Sequence, residues 1–112
     1  MNSRNILEFA VTTGERMLAN GCGTHRIEGL INKILEPCKF RNHEIFVTTT
    51  GIVITVESAD EGVITVMKQV PKKKMHTEHI SLIEDIVNSF VAGELTAEQA
   101  LVELKNADSK AT

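Results

Sequence analysis

The sequence predicts an α+β domain: two helices, a three-stranded antiparallel meander and two further helices, with the helices packed on one face of the sheet. Three observations carry this expectation. Apolar residues recur every three or four positions up to Leu35, the period changes to two between Pro37 and Pro71, and the helical period returns from Ile80. Helices and strands segregated along the chain suit a sheet covered on one side rather than an alternating α/β fold.

The first helix is expected over residues 5–18, where Ile6, Leu7, Ala10, Val11, Gly14, Met17 and Leu18 form one stripe and Asn20-Gly21 ends it. Gly14 lies on that stripe, where glycine costs about 1 kcal/mol relative to alanine. A close approach by another element is the reason to keep it. Thr24 is read as the N-cap of a second helix carrying Ile27, Leu30, Ile31, Ile34 and Leu35 and ended by Pro37.

Strands follow from alternation at Ile45/Val47, Ile52/Ile54/Val56 and Ile64/Val66. Thr49, Thr50 and Gly51 are expected to form a three-residue turn with Gly51 at positive φ. Residues 58–62, SADEG, supply the next turn. A third helix then uses Ile80, Ile83, Ile86, Val87, Phe90 and Val91 and closes at Gly93. Thr96 and Gln99 form a capping box ahead of a fourth helix bearing Ala100, Leu101, Leu104 and Ala107. With 112 residues, one domain is expected, spanning 1–108, with 109–112 a frayed tail.

Composition excludes several function classes. A net charge of −3 lacks the basic footprint of a nucleic-acid binder, so no nucleic-acid partner is expected. No segment reaches the roughly 20 apolar residues of a membrane-spanning helix, and Glu8, Glu15 and Arg16 interrupt the N-terminal apolar pattern against a secretory signal. Two cysteines, Cys22 and Cys38, fit a reducing compartment, and a cytoplasmic location is expected. Lys72-Lys73-Lys74 reads as a solvated loop or as a contact for anionic headgroups.

Little in the sequence has a catalytic pattern. Cys22-x-x-His25 and His76-x-x-His79 have zinc-compatible spacing but no surrounding motif, so no metal and no cofactor are assigned. The chain has no G-x-S-x-G elbow, P-loop or H-E-x-x-H. A Thr hydroxyl among residues 48–50 would need an adjacent base, and no catalytic residue is assigned, although a small hydrolase-like enzyme using such a hydroxyl stays an alternative. More informative is the stretch 21–28, GCGTHRIE. Glycines ahead of a helix leave N–H groups able to face an anion. Arg26 stands at the end of the helix dipole that disfavours a cation, so a carboxylate partner is expected: Glu28, Glu15 or a ligand.

Gly14-Glu15, the 21–28 stretch, Thr48-x-Thr50-Gly51-Ile52 and Gly93-Glu-Leu-Thr96-x-Glu-x-Ala100, in this order, resemble the cytosolic N-terminal domain of the threonine/serine exporter family. The family's small-acidic-Thr-aromatic-Arg-aliphatic-Glu segment falls on Cys22, Gly23, Thr24, His25, Arg26, Ile27 and Glu28, with Gly23 in place of the acidic residue and His25 in place of the aromatic one. Its Thr-Pro-Thr-Gly falls on Thr48-Thr49-Thr50-Gly51, and the Asn and Arg typical of its third helix fall on Ser81 and Glu84.

The resemblance implies a non-catalytic accessory or regulatory domain at the inner face of the cell membrane, working with a membrane-embedded transporter half in the same or a partner chain. It also implies Thr24, Arg26, Glu28, Thr48, Thr50 and Gly51 as candidates for binding a small amino-acid ligand. A plain homo-oligomerisation module, joined through a spare strand edge or the fourth helix, is the remaining alternative.

Overall fold

A computed structural model describes residues 3–70 and 77–110. The lysine cluster and His76, and with it the His76-x-x-His79 pair, lie outside the described residues. The elements are α1 (Ser3–Ala19), α2 (Thr24–Leu35), a short 3-10 turn (Glu36–Cys38), β1 (Asn42–Thr48), β2 (Gly51–Ser58), β3 (Gly62–Gln69), α3 (Thr77–Val91) and α4 (Ala97–Lys110). Order and type match the sequence expectation. Boundaries extend a few residues further.

Helix ends are set by local chemistry. At the C-terminus of α1, Gly21 adopts φ 82°, its N–H donates to the Leu18 carbonyl at 3.0 Å, and the Cys22 N–H donates to that of Met17 at 3.1 Å. This is a Schellman closure, and only glycine reaches that φ without strain. Gly93 repeats it for α3 at φ 84°, with the Glu94 N–H on the Ser89 carbonyl at 2.9 Å. The capping box of α4 is present: the Thr96 N–H donates to Gln99 Oε1 at 2.9 Å and the Gln99 N–H donates to Thr96 Oγ1 at 3.1 Å.

The cap of α2 differs from expectation. Gly23 is its N-cap, with extended φ and ψ and no side-chain cap hydrogen bond, and Thr24 is the first helical residue. The Gly23 carbonyl accepts the Ile27 N–H at 3.2 Å, which starts the helix one residue before the threonine can cap it.

The sheet is an antiparallel meander in the order β1-β2-β3. Its inner face turns Ile52, Ile54 and Val56 of the central strand into the core, each fully buried, with α1 over β2 and β3 and α2 over β1. The outer face carries the cross-strand row Phe46, Val53 and Met67 and the hydroxyl pair Thr55–Thr65 at 2.9 Å. α1 is the hub of the fold, touching α2, α3, α4, β2 and β3. Its Phe9 is fully buried, and the ring lies 5.1 Å from that of Phe90, tilted by 56°. Such tilted pairs add to what burial alone contributes.

Gly14 performs the role its position on the stripe suggests. A Cβ there would sit 2.7 Å from Ile52 Cδ1, 2.9 Å from Ile31 Cδ1 and 3.6 Å from Ile27 Cγ2. The missing side chain lets α2 and β2 close onto α1.

Candidate functional site

The β1–β2 connection is tighter than the sequence suggested. Thr48 pairs with Gly51, so the loop is the two residues Thr49-Thr50. Gly51 is the first residue of β2 and is not among the positive-φ glycines. Its glycine has another cause: an added Cβ would come within 3.1 Å of the Lys68 carbonyl oxygen on β3. The turn is held by a side chain. Thr48 Oγ1 accepts the Thr50 N–H at 3.3 Å and donates to the Gly51 carbonyl at 3.3 Å, the local bonding by which Thr stabilises turns. The Thr48 hydroxyl is thus engaged with its own turn rather than with a base.

At the other segment, the N–H groups of Gly21 and Cys22 are spent on closing α1. Arg26 has its carboxylate, but not one of those expected nearby. Its Nη2 donates to Glu84 Oε2 on α3 at 2.8 Å. That bond and the negative charge of Glu84 hold the guanidinium more firmly protonated than an isolated arginine. The pair is solvent-facing, so it contributes little to stability, but it sets where Arg26 points. A glutamate 58 positions away in sequence has no local signature; the one available cue was Glu84 standing where the resembled family carries a cation.

Glu28 faces differently. With His25, Gly29, Asn32, His43 and Ile45 it lines a shallow recess of about 340 Å³ between α2 and β1, and His43 Nε2 is hydrogen-bonded to Asn32 Oδ1 at 2.7 Å. Asn32 and His43 were not singled out from sequence. His43 shares the inward face with Ile45 and Val47, and a polar residue in that register was the missed signal.

The six candidate residues therefore form two groups on a shared support. Ile27, between Arg26 and Glu28, and Ile52, beside Gly51, both pack over Gly14. Two side chains, not the segments that bear the polar groups, converge there. The polar groups diverge: Arg26 to α3, Glu28 to the recess, Thr48 into its turn, Thr50 to solvent, while Thr24 is half-buried.

Burial pushes the Cys22 thiol above its ordinary value of 9.0, with Arg26 pulling it down and Glu84 pushing it up, and burial alone raises Cys38. Both cysteines are free thiols. Among the described residues no group of three or more His, Cys, Asp or Glu is arranged to hold a metal ion. Nor is any helix among them long and apolar enough to cross a membrane.

Fold and packing together define a small α+β domain in which Ile27 and Ile31 of α2 and Ile52 of β2 close over Gly14 of a central helix. Residues 8–112 match the family model of the threonine/serine exporters, ThrE. The chain belongs to the threonine/serine exporter family. Comparisons with curated proteins and with solved structures returned no match.

Proposed function

We propose that the chain is a cytoplasmic accessory or regulatory domain of a threonine/serine exporter, not itself catalytic, acting at the inner face of the cell membrane beside a membrane-embedded transporter half in the same or a partner chain. The observation that carries this reading is the family match over residues 8–112. In this role the domain senses a small hydroxylated amino acid through Thr24, Arg26 and Glu28 at the start of α2 and Thr48, Thr50 and Gly51 at the turn. The common packing of Ile27 and Ile52 on Gly14 supports it, since a ligand held at one segment is felt mechanically at the other.

The ion pair sharpens the expectation. A ligand carboxylate competes with Glu84 for Arg26, so Glu84→Gln leaves the guanidinium available and tightens binding. Titration with threonine or serine, followed by amide NMR shifts, is expected to move resonances of residues 21–28 and 48–52, at lower ligand concentration in Glu84→Gln than in the wild type. Unmoved resonances in both proteins at millimolar ligand would remove the sensing role.

A further inference from the structure

We propose that β3 is a homodimerisation edge. Two copies of this chain join β3 to β3 antiparallel about a two-fold axis at Thr65, making one six-stranded sheet. β3 is a terminal strand eight residues long. Beyond it the Val70 N–H donates to the Thr50 carbonyl at 2.8 Å, in register with the β2–β3 ladder. Antiparallel strands alternate bonded and non-bonded pairs, so Gly62, Ile64, Val66 and Lys68 direct their backbone groups to β2. Val63, Thr65, Met67 and Gln69 direct theirs to the open side, where no strand lies among the described residues. The edge has few of the devices that keep strands apart: its register is unbroken, it contains no proline, and Lys68 is its single charge.

A groove of about 570 Å³ follows this edge, with Arg4, Glu8, Val11 and Thr12 of α1 on one wall and β3 on the other. An added strand lies about 4.8 Å beyond its neighbour, so it would occupy this groove.

Self-complementarity identifies the occupant. Directly opposed residues in an antiparallel pair share a face, so a two-fold axis normal to the sheet opposes residues of like parity. With Thr65 on the axis, Val63, 69% exposed, meets the second copy's Met67, 68% exposed, and this happens twice. On the inner face the half-buried Ile64 meets the second copy's Val66, again twice. Moving the axis to Val66 sets Ile64 against lysine, and moving it to Ile64 sets Val66 against glycine. The charges agree: Glu61 and Lys68 stand near opposite ends of β3 and antiparallel pairing brings them to the same end of the joint, while Arg4 and Glu8 add one charge of each sign to the groove. A surface that meets its own copy in this way is the isologous interface of a two-fold dimer.

Sedimentation equilibrium of the 112-residue chain, from micromolar to millimolar concentration, is expected to give twice the single-chain mass of 12.3 kDa. Met67→Lys, on an exposed side chain, halves that mass without changing the circular dichroism spectrum. Thr65→Cys yields a disulfide-linked dimer under mild oxidation, whereas Glu44→Cys on β1 does not. A single-chain mass at every concentration overturns the proposal. So does a dimer that survives Met67→Lys and is not linked by Thr65→Cys, which would assign the contact to another surface.

Discussion

At residue scale, the tightest constraint is Gly14. Any side chain there enters the space of the Ile31 and Ile52 δ-methyl groups, both on fully buried residues. Alanine recovers helix propensity that offsets part of the crowding, so the informative change is a β-branched one. Gly14→Val is expected to lower stability by about 2 kcal/mol through overpacking, read from urea denaturation midpoints. The buried thiol of Cys38, which donates to the Ile34 carbonyl at 3.3 Å, makes a pH-dependent prediction. Its folded-state pKa is raised, so the stability it contributes is complete below the unfolded pKa and is lost as pH rises through the folded one. The advantage of the wild type over Cys38→Ala is therefore expected to be constant at neutral pH and to shrink above pH 9.0, as urea denaturation across a pH series would show. An advantage that grows with pH would contradict this.

Among the elements, α4 depends most on its cap. Its apolar face is short, with Ala100 and Leu104 buried in the core among the described side chains, so the reciprocal bonds of Thr96 and Gln99 carry a large share of its start. Thr96→Ala is expected to cost about 1 kcal/mol, seen as a lower thermal midpoint, with hydrogen exchange accelerating first in residues 97–100. This capping box was legible in the sequence because both partners lie within one turn. The Schellman glycines were legible for the same reason. The cap of α2 was misread, because Thr24 resembles a cap residue and the fact that Gly23 already closes the first helical bond is a matter of backbone angles. Gly51 was misread as a turn glycine because its true constraint, the Lys68 carbonyl, belongs to a strand that follows later. Local rules reveal local partners. Arg26–Glu84 and Asn32–His43 join different elements and needed the fold to be seen.

For the molecule as a whole, the meander and the helices differ in how far apart in sequence their contacts lie. Each strand pairs with the next one along the chain, whereas α1 must receive α4 from the other terminus, as in the hydrogen bond from Asn5 Nδ2 to Glu98 Oε1 at 3.0 Å across 93 positions. Closing a long loop costs entropy before its contacts repay it, so the order of assembly follows from this layout. The hairpins are expected to be structured in the folding transition state and the α1–α4 contact to form after it. In stopped-flow kinetics, Ile54→Val should mainly slow folding, and Leu104→Ala should mainly speed unfolding; the reverse partition would place the nucleus among the helices. The Gly51 backbone that admits β3 so closely then acquires a temporal meaning. It removes an obstacle at the moment the third strand arrives, while the two ends of the chain are still free.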